Sequence, residues 1–399
     1  MTKSQISVPV STVSIPLINS EGVEPPVRSG GTARLFVRES IPVVLAFLAS
    51  RLLIYGLILL SRLIVLPSSR SFDGGFLTVL VQREGVSYFD IARTGYGAAA
   101  HAAPTLDFFP LYPLLVRGVS LVFRNFAVAS VVTANLALFV AGLLLHRLLR
   151  KEYTNPKIAR AGVWFLMFTP GCLFFSVGYS ESTFLALALG SLLAAMNRQW
   201  LLASVCGMAL AATRSFGVLI LFPLAIEFLW SDRQAHRAID ALLRPRNLLL
   251  ALIPTGLAAV VAFGYAKYHN LLAASEALKI WGPGFRSPVA AFADGHRGAP
   301  TFAWLFGGVV VTSTLMLAAG CWLKMRASHI AYALILLAVS LFFSGFEAIP
   351  RTICLIFPLY AAAGMLSVRS RWLYEPLLAA SVVVLSMLTV LWANGYWIP

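Results

Sequence analysis

The sequence predicts an all-α polytopic membrane protein: a bundle of about eleven transmembrane helices, with a long first outer loop that bears interfacial helices. Three observations predict it. Hydrophobic residues make up 59% of the 399 and charged residues 12%, whereas soluble domains carry roughly 45–50% and about 25%. Apolar runs at 41–67, 126–145, 248–265, 302–323 and 373–392 approach or exceed the roughly 20 residues that a spanning helix needs. The Lys and Arg residues collect in short segments between such runs, as the positive-inside rule requires of cytoplasmic loops.

Taken in order, residues 1–38 are rich in Ser, Val, Pro and Gly and hold neither a long apolar run nor a small-residue cleavage site, so they read as a disordered cytoplasmic tail. The first span acts as an uncleaved anchor, and residues 39–399 form a single transmembrane domain. The basic clusters Arg28/Arg34/Arg38, Arg147/Arg150/Lys151/Lys157/Arg160, Arg233/Arg237/Arg244/Arg246, Lys324/Arg326 and Arg369/Arg371 mark the inner face. Threading between them predicts helices at 41–66, 126–146, 160–177, 181–197, 200–213, 215–230, 247–268, 304–325, 329–346, 350–367 and 373–394. The N-terminus is then inside and the C-terminus outside. Residues 108–123 are apolar, but a crossing there would place Arg147 to Arg160 outside, and Pro110, Pro113 and Arg117 favour an interfacial or re-entrant helix. Residues 200–230 read as a tight hairpin interrupted at Thr213-Arg214-Ser215-Phe216-Gly217. No fixed-period repeat is present.

The formal net charge of +15 raises the question of nucleic acid, but the cations are dispersed among loops and form no continuous stripe, so membrane lipid is the partner they imply. The four cysteines, Cys172, Cys206, Cys321 and Cys354, lie in apolar segments without CxxC spacing and read as packing residues. His101, His146, His236 and His329 lack ligand spacing, and no HExxH or DxD pattern occurs; no metal or other cofactor is called for, although a divalent ion is not excluded.

This topology gathers polar residues on the outer face. The first outer loop, 67–125, carries Asp73, Glu84, Asp90 and Asp107; the tight turn Tyr179-Ser180-Glu181-Ser182 adds Glu181; Arg214 sits at the next outer turn. The late outer loop, 269–303, adds His269, Lys279, Trp281, Arg286 and His296, and Glu347 and Arg351 follow. A carboxylate on a long loop with several cations at the tops of other helices suits transfer from a phosphate-linked donor: the acid takes a proton from an attacking hydroxyl, and Arg or Lys stabilises the departing phosphate. The plainer reading of each charge is an interfacial side chain reaching water. Ser180-Glu181 also reads as a helix start, and Arg51, deep in the first span, as half of a structural ion pair.

Several motifs in order resemble the mannosyltransferase family of the second mannose transfer in glycosylphosphatidylinositol assembly, with its bacterial relatives, within the GT-C superfamily of glycosyltransferases. The family's Trp-Asp-x-x-x-Tyr-x-x-Ile-Ala-x-x-Gly-Tyr is matched by Arg83, Glu84, Tyr88, Ile91, Ala92, Gly95 and Tyr96, and its Phe-Phe-Pro-x-Tyr-Pro-Leu by Phe108, Phe109, Pro110, Tyr112, Pro113 and Leu114. Tyr179-Ser180-Glu181-Ser182-Thr183-Phe184 is similar to a Tyr-Ser-Glu-Ser-x-Phe turn and Thr213-Arg214-Ser215-Phe216-Gly217 to a Thr-Arg-x-x-Gly segment; Trp281-Gly282 and Arg351 with Phe357-Pro358-Leu359 also resemble family features. The resemblance spans roughly residues 40–395. Where the family carries Trp-Asp this chain has Arg83-Glu84, so the acid is one methylene longer and its aromatic neighbour is absent.

The resemblance implies a GT-C-like bundle and an inverting membrane glycosyltransferase that moves mannose from a polyprenyl-phosphate-mannose donor to a lipid-linked or surface glycan acceptor outside the cytoplasm. It implies Glu84 as the base, with Asp90 and Asp107 as alternatives; Arg214, Arg286, Arg351, Lys279 and His269 at the donor phosphate; and Glu181, Tyr88, Tyr112 and Trp281 in substrate positioning. The setting would be a bacterial plasma membrane, or the endoplasmic reticulum in a eukaryotic source. The alternative is a non-catalytic subunit that binds the lipid carrier or scaffolds a partner transferase. A transporter would show inverted-repeat hydropathy, which is not seen.

Overall fold

The computed structural model describes residues 29–61, 75–97, 105–231, 249–272, 276, 285, 287–298, 300–343 and 349–396. Most of the predicted tail, the basic segment 233–246, Lys279, Trp281, Arg286 and Glu347 lie outside the described residues. Among those described there are helices and no strands. Among the described residues, five helical segments are long and apolar enough to cross a membrane: Glu39–Ser61, Phe126–Glu152, Leu249–Tyr268, Ala303–Trp322 and Arg371–Ala393. This is an all-α, membrane-embedded protein.

The described helices are α1 (Ser29–Ser61), α2 (Phe76–Leu80), α3 (Glu84–Thr94), α4 (Leu111–Phe123), α5 (Phe126–Glu152), α6 (Pro156–Phe168), α7 (Glu181–Met196), α8 (Trp200–Ala211), α9 (Leu221–Ser231), α10 (Leu252–Tyr268), α11 (Pro288–Gly298), α12 (Pro300–Trp322), α13 (Ala327–Phe342), α14 (Ile349–Ile353), α15 (Pro358–Arg369) and α16 (Arg371–Ala393). The first helix reaches back to Ser29, into the stretch read above as tail. Large apolar side chains stand exposed along α1 (Leu45, Leu48, Leu52), α12 (Val311, Leu315) and α16 (Leu373, Val383). Water would penalise such rows, and lipid accepts them. Trp304 and Trp322 are exposed near the two ends of α12, about 27 Å apart by helical rise, which suits a pair of interfacial anchors. In α4 the row Tyr112, Val116, Ser120 turns inward while Leu114, Leu121 and Val122 are exposed, the two-sided pattern of a helix lying against a membrane boundary.

The interior is knit by close helix contacts. Gly162 of α6 lies where a Cβ would come within 2.8 Å of the Tyr360 carbonyl, and Gly364 of α15 presses on the Ile158 carbonyl; reciprocal small residues let these two backbones meet.

Two helices read as continuous in the sequence are broken. The 160–177 prediction fails at Phe168: Thr169 is extended, Pro170 opens a single 3-10 turn, Pro170–Leu173, and an irregular segment follows to Ser180. The 350–367 prediction fails between Ile353 and Pro358, where the missing N–H of Pro358 cannot continue a helix and instead suits the first turn of a new one. Residues 215–230 begin as the 3-10 turn Ser215–Ile220 before becoming α9. All three irregular segments meet at one end of the bundle.

At the opposite end, the C-termini of α5 and α9 converge on the start of α13. Arg326 is bidentate to Glu227, with Nε at 2.9 Å from Oε2; Ser328 Oγ donates to the same oxygen at 2.9 Å, and the Arg326 N–H to Glu152 Oε1 at 3.3 Å. His329 Nδ1 lies 3.1 Å from Glu152 Oε2. These contacts fix the ends of three helices by buried charge.

Candidate functional site

The three broken segments and the start of α3 bring four charged residues together. Each is placed by local backbone. The turn before α3 is held by the end of α16: Trp392 Nε1 donates to the Val79 carbonyl at 2.9 Å, Gln82 Nε2 to the Trp392 carbonyl at 3.1 Å, and Arg83 Nη2 to the Gly395 and Tyr396 carbonyls at 3.1 and 2.9 Å. Arg83 adopts φ 58° and ψ −125°, a conformation that costs a non-glycine residue about 1–3 kcal/mol and persists only where surroundings impose it. Glu84 is then the first residue of α3, where the helix dipole favours its negative charge.

Glu181 opens α7. Ser180, at the cap position, makes no capping bond; its hydroxyl instead meets Tyr88 Oη at 2.8 Å and receives Arg214 Nε at 3.2 Å. Arg214 sits in extended backbone between α8 and the 3-10 turn. Gly217 folds that turn onto the Leu210 carbonyl, leaving no room for a Cβ. Arg351 lies on the short α14, whose exit is fixed by Tyr332 Oη donating to the Leu355 carbonyl at 3.0 Å.

Arg351 is the hub. Nη1 and Nη2 donate to the two Glu84 oxygens at 2.5 and 2.7 Å, and Nε donates to Glu181 Oε1 at 2.8 Å, with Nη2 also on that oxygen. Arg214 Nη2 reaches the same Oε1 at 2.8 Å. Two carboxylates and two guanidinium groups thus form one chain, Glu84, Arg351, Glu181, Arg214, of zero net charge. The Arg351 guanidinium lies 4.8 Å from the Tyr179 ring centre and 5.5 Å from that of Phe174, faces that suit a partly desolvated cation. Glu181 is 0% exposed, and its Oε2 has no hydrogen-bond partner among the described residues. Glu84 remains 23% exposed.

Burial alone would raise the Glu84 pKa, but the charge and hydrogen bonds of Arg351, with Arg214 behind it, outweigh that and hold the carboxyl below its usual range. Tyr88 is pushed up to about 12 by burial, so its hydroxyl stays protonated. Its ring meets Phe108 and Tyr112 edge-on, both at 5.0 Å between centres, and Tyr112 Oη donates to the Ser130 carbonyl at 2.9 Å.

Of the residues singled out in the sequence, Glu84, Glu181, Arg214 and Arg351 are therefore in direct contact, with Tyr88 bonded to Ser180 beside them and Tyr112 packed behind. Asp90 projects from a different flank of α3 and is half-buried. Asp107 ends a 3-10 turn, Thr105–Asp107, next to Tyr96. His269 caps α10 at φ 51°, exposed, with its ring against Tyr265. Arg286, Lys279 and Trp281 lie outside the described residues. Sequence reasoning missed Ser180 as a bonded partner, the Phe174 and Tyr179 rings, and Trp392. The Trp392 ring centre lies 5.8 Å from the Arg83 guanidinium and 6.0 Å from the Tyr179 ring centre.

Arg51 also departs from expectation. No carboxylate pairs with it among the described residues; Nη1 donates to Asn135 Oδ1 at 2.9 Å and Ser176 Oγ at 2.6 Å, and Nη2 to Cys172 Sγ at 3.0 Å. With Tyr55 Oη on the Ser176 carbonyl at 3.0 Å, these bonds tie the irregular 170–180 segment to α1 and α5 just before Glu181.

A small apolar void of about 10 Å³ is lined by Phe184, Leu210, Phe216, Ile220, Tyr332 and Leu336; the Arg214 guanidinium lies 5.9 Å from the centre of the Phe216 ring in that lining. No protein-family model and no curated protein matches this chain.

Proposed function

We propose that this protein is an inverting GT-C-type membrane transferase that moves a sugar, by resemblance mannose, from a polyprenyl-phosphate donor to a hydroxyl of a lipid-linked or surface glycan. The observation that carries the reading is the four-residue chain in which one carboxylate, Glu84, stays partly open, bonded to Arg351, with Arg214 beyond Glu181. Arg214 and Arg351 then receive the lipid phosphate. Glu181, buried between them, holds the arginines in register. Glu84 accepts the acceptor's O–H proton as that oxygen bonds to the anomeric carbon; the anomeric C–O bond breaks, and its electron pair leaves with the polyprenyl phosphate.

In this reading eleven helices cross the bilayer: α1, α5 to α10, α12, α13, α15 and α16. Arg147 to Arg160, Lys324, Arg326, Arg369 and Arg371 lie at the end opposite Glu84, so the positive-inside rule puts the site on the outer face and the N-terminus inside. A glutamate in place of the family's aspartate suits a site where Arg351, itself anchored by Glu181, reaches out to meet the longer acid. Glu84→Gln is expected to lower transfer by about 100-fold or more while the protein still folds, the range for loss of a general base.

A second reading is favoured by the neutrality of the cluster: four charges that satisfy one another also suit a non-catalytic subunit that binds the lipid carrier. That protein binds polyprenyl phosphate and never releases it from a charged donor. Release assayed with purified protein separates the two.

A further inference from the structure

We infer that donor binding and base activation are one event: an anionic headgroup takes Arg351 away from Glu84, and only then is Glu84 free to accept a proton. The inference rests on the transferase reading above and concerns the order in which its parts act.

Arg351 has five N–H donors, and the contacts described commit four of them, two to Glu84 and two to Glu181. An arriving phosphate cannot be gripped by two of its nitrogens unless one carboxylate yields. Glu181 cannot readily do so. It is fully buried, and without Arg351 its charge would rest on Arg214 alone in a dry interior. Glu84 is the weaker tie. Among the described residues its carboxylate is bonded only to Arg351, it is 23% exposed, and the N-terminus of α3 stabilises its charge once it is released.

While paired with Arg351, both Glu84 oxygens accept from a cation that keeps the group ionised and weakly basic. Displacement removes the charge that lowers its pKa and substitutes a nearby phosphate, which raises it. The charged groups facing Glu84 are Arg351 of α14 and Arg214 beyond α8; Tyr88 of α3 and Tyr179 before α7 stay neutral. The base therefore gains strength when a donor is present, and is weakest while Arg351 holds it.

The test is binding by full-length detergent-purified protein, with farnesyl phosphate as probe and no turnover required. Glu84→Gln removes the competitor for Arg351, so affinity is expected to rise about fivefold or more. In an Arg351→Gln background the same change is expected to give less than about twofold, since the competition has gone. Unchanged or weaker binding in Glu84→Gln overturns the inference, as does an equal gain in the Arg351→Gln background, which would reduce it to general electrostatics. If the variants fail to fold, native protein decides. Inorganic sulfate stays ionised across the range, so its binding near pH 5 should take up protons, read from calorimetry in two buffers of different ionisation heat. Zero uptake overturns the inference. Tighter binding by Glu84→Gln with no transfer by native protein would defeat the transferase reading alone; active native protein without that gain would defeat only the exchange.

Discussion

At the scale of single residues, the site depends on how charge is shared. Glu84 has a folded pKa below its unfolded value, so the stability it contributes is fully present above the ordinary carboxylate range and is lost as pH falls through the lowered value. The difference in unfolding midpoint between native protein and Glu84→Gln should thus be constant from neutral pH to about pH 5 and shrink below that; a difference that grows on acidification would contradict the Arg351 pairing. Arg351→Gln leaves Glu181 buried against Arg214 alone and Glu84 unpaired. Loss of one partner of a buried pair costs about 3–5 kcal/mol, so thermal unfolding should drop sharply, while Arg351→Lys keeps charge, loses the fork and should fall between. Glu84, Glu181, Arg214 and Arg351 were each legible in the sequence as polar residues stranded beside apolar runs. That one arginine joins two of these acids was not, because residues 84, 181 and 351 are connected only through the fold.

At the scale of elements, the irregular pieces carry the site. Helices supply length and lipid contact, whereas the breaks at Thr169-Pro170, at Arg214 to Ile220 and at Cys354 to Phe357 supply backbone that can turn charged side chains inward. The prolines that make two of these breaks were visible in the sequence, yet apolar residues on both sides disguised them as continuous spans. The third break depends on Gly217, where a Cβ would strike the Leu210 carbonyl. Gly217→Ala should therefore shift the turn that bears Arg214. Because the overlap is with backbone, the expected cost is about 2 kcal/mol or more in stability, with a larger loss of farnesyl phosphate binding than an Ala at the open position Gly118 would cause. The packing of α16 and its exit against residues 79–83 has no local pattern: in the sequence Trp392 only closes an apolar run, and the closed bundle makes it the neighbour of Arg83.

At the scale of the whole molecule, composition alone gave the class. Among the described residues, five helices of spanning length, exposed apolar rows and charge concentrated at the ends, with Arg51 the buried exception on α1, agree with the 59% hydrophobic and 12% charged content. The two ends differ in kind. One holds the chain of Glu84, Arg351, Glu181 and Arg214; the other holds Arg326, Glu227, Glu152 and His329 amid dense positive charge. In the proposed reading, the positive-inside rule puts the second of these ends in the cytoplasm. A cysteine at the exposed Arg93 on α3 should react with an impermeant maleimide in intact cells, and one at the exposed Lys157 on α6 only after lysis; the reverse pattern would invert the topology and place the site in the cytoplasm.

The account stands most directly on turnover. Purified protein would be given radiolabelled polyprenyl-phosphate mannose and a membrane lipid extract, and free polyprenyl phosphate measured beside the Glu84→Gln variant. The account predicts release by native protein and a loss of about 100-fold or more in the variant. Equal release by both would contradict the role of Glu84, and donor binding without release by either would make this a carrier-binding protein instead.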